Sequence, residues 1–239
     1  MRCVPRRMRF GAAMRIAAAA TPLLRDHVIV RSRLQQRVET AREIVTYHLL
    51  DILTRHGVAF DPRMRSQGAG HFDAAVAENR GVLLIAPHAM LTTLSLRLLH
   101  DAGKEVLVVA TFDTPIPGTS LTAPAILPSF TYLLEVRRRL RANAIVTAMI
   151  DRAEIDSRTA VSVDTSLGSV IIADALIQVA VRSNVPVLFA ATRIIDGEMV
   201  IVLDRPSGEE SQTAEGVRTA FIAFLLRHVD CVARERGLD

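Results

Sequence analysis

Apolar and polar positions along the chain follow two spacings, which predict helices and strands in turn. Between Arg33 and His56 the apolar residues recur at three- and four-residue steps, the spacing of an amphipathic helix that Gly57 ends. Residues 58–70 are then predicted to form a loop. A short helix from His71 to Glu78 follows, and Asn79-Arg80-Gly81 is its stop signal.

Short apolar runs alternate with helical patterns over the middle of the chain. Continuous apolar runs of this length are typical of strands buried on both faces of a parallel sheet. The predicted strands are Val82–Ala86, Glu105–Ala110, Ala144–Ile150 and Val185–Ala191, with a further short strand at Val161–Val163. The predicted helices between them are Leu91–Leu99 (closed by Gly103), Ser129–Arg141 and Ser169–Arg182, and residues 111–127 are predicted to be a proline-rich loop.

The last strands are predicted to change direction. Asp196-Gly197 separates Ile194-Ile195 from Met199–Leu203, and an Asp-Gly pair between apolar runs favours a tight hairpin turn. The last strand should therefore be antiparallel and lie at or near an edge, before a closing helix from Thr213 to Arg236. We expect an α/β fold: a mainly parallel sheet flanked by helices, with an antiparallel edge hairpin and an N-terminal helical segment.

Composition narrows the class of protein. Half of the 239 residues are apolar and 23% are charged, which excludes a disordered chain. The length and the lack of linkers or repeats predict a single α/β domain over residues 25–239. Two cysteines, Cys3 and Cys231, are too few for a disulfide framework or a four-cysteine zinc site, and neither a metal nor a cofactor is expected. Aromatic residues are scarce and tryptophan is absent, so no nucleic-acid partner is expected.

Positive charge is concentrated at the N-terminus. The formal net charge is +4, and residues 1–24 contain five arginines and no acid, among apolar residues. No apolar run reaches the roughly 18 residues of a spanning helix. We expect residues 1–24 to form a basic amphipathic segment on a membrane surface, which makes the protein cytoplasmic and peripheral on the inner face of the cell membrane. A solvated tail, or a secretory signal interrupted by Arg15, is the alternative.

Polar residues follow three of the predicted strands. His88 comes after the first strand, Asp113 after the second and Asp151 after the third. Ligands of open α/β sheets bind outside the carboxyl ends of the strands, so these side chains are expected to converge at one edge. His88 also opens a predicted helix, whose dipole disfavours imidazolium and suits a neutral general base. For each residue the alternative is a polar side chain that ends a strand simply because loops are polar.

Three segments, in order along the chain, carry a resemblance to a known family. They are HFDAAVAENRGVLLIAPHAMLTTLSL (71–96), RANAIVTAMIDR (141–152) and SLGSVIIADALIQVAVRSNVPVLFAATRIIDGEMVIVL (166–203). As a set they resemble the lysophospholipid acyltransferase superfamily, and within it the bacterial lipid A late acyltransferases. The resemblance places His88 on the catalytic histidine and Asp151 on an acid that ends a later strand. Thr93 stands where that family has a carboxylate, and the family's tryptophans and basic loop are missing here.

The resemblance implies acyl transfer from a thioester, on acyl carrier protein or coenzyme A, to a hydroxyl or amine of a lipid or small-molecule acceptor. His88 would act as general base, and Asp151 or Asp113 would orient it, since Thr93 carries no charge. Arg152 and Arg158 would hold a phosphate or a pantetheine-linked anion, unless they are solvated loop arginines. Arg137 to Arg141 form either a solvated helix face or a docking patch for an acidic carrier protein.

Two other functions remain open at this point. A catalytically degenerate acyltransferase fold that binds lipid or a partner is favoured by Thr93. A thioester hydrolase would use water in place of the acceptor. The chain has no G-x-S-x-G motif, which argues against a serine hydrolase, and no glycine-rich phosphate-binding motif.

Overall fold

A seven-stranded sheet with helices packed on it organises the protein, as a computed structural model shows for residues 4–31, 39–61, 63–101, 103–151 and 160–236. The strands are β1 (Met64–Gln67), β2 (Val82–Ala86), β3 (Val106–Val109), β4 (Thr114–Pro115), β5 (Thr122–Ala123), β6 (Ala125–Ile126), β7 (Ile145–Met149), β8 (Val161–Thr165), β9 (Gly168–Ile172), β10 (Val187–Ile195) and β11 (Glu198–Asp204). The α-helices are α1 (Arg6–Arg31), α2 (Ala41–Arg55), α3 (Ala69–Ala77), α4 (Ser95–Asp101), α5 (Tyr132–Arg141), α6 (Ala175–Arg182) and α7 (Ala214–Arg236). Short 3-10 helices cover Met90–Leu94 and Glu210–Gln212.

The main sheet has the spatial order β1-β11-β10-β2-β7-β3-β6. All neighbouring pairs are parallel except β10 and β11, which are antiparallel. The expected α/β fold class is confirmed, and β2, β3 and β7 share one sheet as predicted. Every residue of β2 is buried, because helices cover both faces of the sheet.

The predicted hairpin between β10 and β11 is confirmed. Asp196 and Gly197 have φ angles of 51° and 81°, the left-handed pair that a type I′ turn requires. β11 is second from the edge rather than at it, since β1 pairs with its outer side in parallel. β1 was predicted to be loop; its sequence, Met64 to Gln67, is polar and mostly exposed, so it has no apolar alternation and joins the sheet through its backbone.

Two further predictions are corrected. The helix expected from Ser169 begins only at Ala175, because residues 168–172 form β9, antiparallel to β8. Val170, Ile171 and Ile172 are β-branched and favour a strand, although their spacing also fits the helix predicted from Ser169. Residues 111–127 are not all loop, since they contain β4, β5 and β6.

α2 is shorter than predicted at its N-terminal end. It begins at Ala41 because Thr40 caps it: the Thr40 hydroxyl accepts a hydrogen bond from the Glu43 amide (3.2 Å), and the Glu43 carboxylate accepts one from the Thr40 amide (2.7 Å). The predicted start at Arg33 lies outside the described residues. Gly57 ends α2 as expected, with a φ of 64°.

Three buried clusters fill the layers of the fold. On one face of the sheet α5, α6 and α7 cover Ile85 and Phe189, and Phe189 contacts the rings of Phe221 and Phe224 at centroid distances of 5.5 and 5.7 Å. On the other face, α3 and α4 cover alternate residues of the same strands, among them Leu84. A third cluster joins α1 and α2 to the 3-10 helix at Met90–Leu94.

α1 belongs to that third cluster. Phe10, Ala13, Met14 and Ala17 are buried, and Phe10 stacks on Phe60 with ring centroids 6.2 Å apart. The helix continues through residue 24, where the sequence suggested a boundary. Over the part of the chain that the structure describes, no helix has the length and apolar character needed to cross a bilayer. Membrane contact by residues 1–24 and the single-domain organisation stay predictions.

Gly81 offers a test of how β2 is placed. A Cβ atom there would lie 2.1 Å from the Leu140 backbone oxygen at the end of α5, so Gly81→Ala forces the backbone at position 81 away from the backbone at Leu140. We expect it to lower the free energy of unfolding by about 1–3 kcal/mol, measured by urea denaturation. Gly208→Ala is the matched control, because its Cβ would have no neighbour within 4 Å, and it should change stability by less than about 0.5 kcal/mol. Equal stability of the two variants would contradict the placement.

Candidate active site

His88 and Asp151 lie side by side where two neighbouring parallel strands end. In the β2–β7 pair, Ala86 is opposite Met149. His88 and Asp151 each lie two residues beyond these strand residues, so the same register brings His88 opposite Asp151. Side chains in register on neighbouring strands project to the same face. The structure thus brings together two of the residues that the strand ends suggested.

The contacts between the two residues are direct. Asp151 Oδ1 lies 2.6 Å from His88 Nδ1, and both carboxylate oxygens lie 2.9 Å from the His88 backbone nitrogen, which donates to them. The Asp151 side chain is 4% exposed, whereas that of His88 is 34% exposed. A carboxylate that accepts the Nδ1 proton fixes the tautomer and leaves Nε2 as the basic nitrogen. Among the described residues, none forms a hydrogen bond with His88 Nε2.

The backbone around His88 is held by its own turn and by a buried acid. The Ala89 amide donates to the Pro87 carbonyl (2.7 Å), and the Leu91 amide donates to Glu39 Oε1 (3.2 Å). The segment that follows is a five-residue 3-10 helix, so the α-helix expected to begin at His88 begins only at Ser95. No α-helix therefore begins at His88 to supply the dipole that was expected to disfavour imidazolium, and the charged group that contacts the ring is Asp151.

Asp113 and Thr93 do not join this pair. Asp113 is exposed, and its Oδ1 accepts a hydrogen bond from the Ala125 amide (2.8 Å), which holds the turn between β5 and β6. The Thr93 hydroxyl donates to the Met90 carbonyl (2.9 Å) within the 3-10 helix. In the described part of the chain neither side chain forms a hydrogen bond with His88. Arg152 and Arg158, the predicted anion-binding residues, lie outside the described residues.

Thr93 instead lines a small, mainly apolar cleft. The cleft lies between α2, the 3-10 helix and the chain after β4, and Tyr47, Leu50, Leu94 and Pro115 contribute to its walls. Burial and, to a lesser extent, Asp51 raise the pKa of Tyr47, so its hydroxyl stays protonated as a hydrogen-bond donor at neutral pH. The polar side chains of Asp51, Thr54 and Thr114 also line the cleft.

Sequence reasoning missed Thr192, a buried polar residue of β10, the strand that pairs with β2 on the side opposite β7. β10 pairs with β2 as far as Phe189 opposite Ile85, and Thr192 follows three residues further along β10. Thr192 is 1% exposed, and within the described residues its hydroxyl has no hydrogen-bond partner. The predicted strand stopped one residue short, at Ala191. Extending the apolar pattern through Thr192 to Ile194 and Ile195 would have included it.

A buried ion pair holds α2 over β10 next to this position. Glu43 Oε1 accepts hydrogen bonds from Arg193 Nε (3.2 Å) and from the Ile194 amide (3.1 Å), and Arg193 also pairs with Glu235 at 2.5 Å. Burial raises the pKa of Glu235. Although burial opposes it, Glu43 and Glu235 raise the pKa of Arg193, so the guanidinium stays charged. Arg193 and Glu43 are 4% and 1% exposed, so each of these two buried charges has an opposite charge beside it, while Glu235 is partly exposed.

Neither a metal site nor a comparison with known proteins assigns a function to the chain. In the parts of the chain that the structure covers, no group of three or more histidine, cysteine, aspartate or glutamate residues is placed to hold a metal ion. No protein-family model matches the chain, and no curated protein sequence matches it. The fold and the geometry at His88 therefore carry the functional argument.

Asp151→Asn tests the tautomer. The single oxygen of the amide is expected to bond the His88 backbone N–H, which turns the NH₂ group toward Nδ1 and moves the ring proton to Nε2. The ¹⁵N shifts of the imidazole, recorded at a pH where the ring is neutral, should report an Nδ1–H ring in the parent and an Nε2–H ring in the variant. Asp113→Asn is the matched control and should leave the ring unchanged. An Nδ1–H ring in Asp151→Asn contradicts the assignment.

Proposed function

We propose that the protein is an acyltransferase that moves a fatty acyl group from a thioester to a hydroxyl or amine, with His88 as general base. One observation carries the proposal: a buried carboxylate, Asp151, bonds Nδ1 of a histidine whose ring is one-third exposed at the carboxyl edge of the sheet. That arrangement leaves a basic nitrogen with no protein partner among the described residues. A base so placed accelerates proton transfer by about 10²–10⁴-fold.

The proposed reaction has two proton transfers: one as the acceptor attacks and one as the thiolate leaves. Nε2 of His88 takes the proton of the acceptor hydroxyl or amine as that atom attacks the thioester carbonyl. The tetrahedral intermediate collapses, the carbon–sulfur bond breaks, and the leaving thiolate takes the proton from the imidazolium. Asp151 keeps the ring in one tautomer and stabilises the imidazolium while it exists.

Direct attack by the acceptor is favoured over a covalent acyl-enzyme. A serine or cysteine nucleophile would sit within hydrogen-bond reach of its histidine base. No serine, threonine or cysteine side chain in the described ranges forms a hydrogen bond with His88. The absent G-x-S-x-G motif agrees with this, so the nucleophile of the proposal comes with the acceptor.

The substrate class rests on the resemblance of residues 71–205 to the lysophospholipid acyltransferase superfamily. It suggests acyl carrier protein or coenzyme A as donor and a lipid, or a small molecule, as acceptor. Arg152 follows Asp151 directly and Arg158 comes later in the same segment; both are proposed to bind a phosphate or pantetheine-linked anion. The proposal places the protein in the cytoplasm, peripheral on the inner face of the cell membrane.

The alternative of a catalytically degenerate fold loses support once the surroundings of His88 are considered. Its main argument was Thr93 in place of a carboxylate five residues after His88. Asp151 already contacts Nδ1 at 2.6 Å, so His88 has an orienting acid without any contribution from position 93. A thioester hydrolase uses the same base and differs only in that water is the acceptor, which product analysis distinguishes.

His88→Ala tests the base. The backbone amide that Asp151 holds is kept in this variant, so the fold should persist while acyl transfer falls by at least about 10²-fold. The assay is mass spectrometry of products from acyl-coenzyme A or acyl carrier protein thioester with a total lipid extract. His71→Ala, a half-exposed histidine near Asp204, is the matched control and should keep parental turnover. Parental turnover by His88→Ala refutes the mechanism, and free fatty acid as the sole product favours the hydrolase.

Thr93→Asp tests whether the site has decayed. If position 93 had lost an orienting acid, restoring a carboxylate would raise activity. Because Asp151 already holds Nδ1, and Thr93 faces the α2 cleft, we expect acyl transfer to be unchanged or lower in the same assay. Thr93→Ser, which keeps the hydroxyl that bonds Met90, is the control for local folding. A several-fold gain in turnover for Thr93→Asp would support the degenerate reading.

A further inference from the structure

An uncharged apolar surface lies at the edge of the sheet that carries His88. Between Thr111 and Leu134 the chain has a single charged residue, Asp113. Five large apolar side chains of this stretch are exposed, and we call them the apolar rim: Phe112, Leu121, Leu127, Phe130 and Leu134. They are half of the ten large hydrophobic residues that are exposed among the described residues, in about a tenth of the chain. Phe130 is fully exposed.

The topology places the rim at the carboxyl edge of the sheet. β3 and β6 are parallel neighbours with Val109 opposite Ile126, so the chain leaves both at the same edge. Phe112 follows the end of β3, Leu127 directly follows β6, and Phe130 precedes the start of α5 at Tyr132. β7 lies next to β3 and β2 next to β7. At about 4.8 Å per strand, β3 and β6 are therefore roughly 10–15 Å from β2, which leads to His88.

Unpaired positive charge lies behind the rim on α5. Leu134, Arg137 and Arg141 are spaced by three and four residues on the exposed face of this helix. Glu135 pairs with Arg138 and Arg139, whereas Arg137 and Arg141 form no ion pair with any described residue. One helical turn rises about 5.4 Å, so Arg137 stands about one turn back from Leu134. Apolar residues in front of cations match the layers of an anionic lipid surface: the apolar residues reach the acyl chains while the cations stay at the level of the headgroups.

The apolar residues of α1, the other predicted membrane segment, are divided between its two sides: Met8, Ile16 and Leu23 are exposed. Phe10, Ala13, Met14 and Ala17 of α1 are buried against α2 and its neighbours. Single exposed hydrophobic residues are normal on protein surfaces, but clustered ones mark an interaction site. The rim is the cluster that also borders the candidate active site, where a lipid acceptor would have to arrive.

We propose that the apolar rim inserts into an anionic lipid surface, with Arg137 and Arg141 at the level of the headgroups. The carboxyl edge of the sheet then faces the bilayer, and an acceptor lipid reaches His88 without crossing water. The choice of a lipid acceptor rests on the proposed function, whereas insertion of the rim does not require turnover.

Phe130→Trp in the full chain supplies the test, because the protein has no tryptophan of its own. On vesicles of phosphatidylcholine and phosphatidylglycerol in equal parts, its emission should shift to the blue and be quenched by brominated acyl chains. Ile16→Trp places the same reporter on the exposed side of α1 and should shift less. A shift at position 16 with none at position 130 overturns the proposal. If the emission at position 130 shifts without vesicles as the protein dimerises, the rim binds a second copy of the chain, which also overturns the proposal.

Flotation with the same vesicles gives an independent measurement. Leu127→Ser combined with Phe130→Ser should lose at least about 10-fold in vesicle binding, whereas Ile16→Ser should bind like the parent. Arg137→Gln combined with Arg141→Gln should weaken binding to the mixed vesicles but not to phosphatidylcholine alone, because only the mixed vesicles carry the negative headgroups that attract these arginines. Unchanged flotation of the rim variant, or equal binding of the parent to both vesicles, contradicts the proposal.

His88→Ala separates this inference from the proposed chemistry. It should float like the parent, because His88 is not part of the rim. A parent protein that binds vesicles through the rim but transfers no acyl group leaves the inference standing and overturns the proposed function. A parent protein that transfers acyl groups but does not bind vesicles does the reverse.

Discussion

The register between β2 and β7 is the constraint on which the candidate site depends. The two strands are offset by 63 residues, and that offset sets Asp151 opposite His88. A slip of one residue would turn the Asp151 side chain to the opposite face of the sheet. Buried apolar side chains on both faces of β2 and β7 fix the register, since a slip would expose or overpack them. Just before β2, Gly81 packs against the Leu140 backbone at the end of α5 so closely that a Cβ atom would not fit.

The polar contacts around α2 carry that constraint to the neighbouring strand. Glu43 is at once the capping-box residue of α2 and the buried acceptor for Arg193 and Ile194 of β10. Glu39, just before the helix, accepts from the Leu91 amide three residues after His88. α2 is therefore bonded both to the strand that carries Thr192 and to the turn that carries His88.

The sequence was informative where apolar burial decides the structure and uninformative where the backbone alone does. β2, β3, β7 and β10 were predicted because buried parallel strands need continuous apolar runs. β1 was missed because it joins β11 through backbone hydrogen bonds and keeps polar side chains. β9 was assigned to a helix because a short apolar run fits both spacings.

The candidate site shows the same division. His88 and Asp151 were found because each directly follows a buried strand, and parallel strands share an edge. The choice between Asp151 and Asp113 as partner depended on register, which a single sequence does not show. Asp113 follows a strand too, yet its carboxylate accepts a hydrogen bond from the Ala125 amide at the start of β6. Thr192 was overlooked because a buried threonine in a strand has the same sequence signal as any β-branched core residue.

The packing of α1 has a consequence for how the protein is made. Its buried residue Phe10 shares a cluster with Leu50 and Phe60, but also with Ile194 and Met199 near the other end of the chain. On the ribosome α1 emerges before β10 and β11, so the cluster around Phe10 stays incomplete until those strands have been synthesised. During that interval part of its apolar side is open to a chaperone. Synthesis of this chain should therefore depend more on chaperone supply than its short connections and ordinary size suggest.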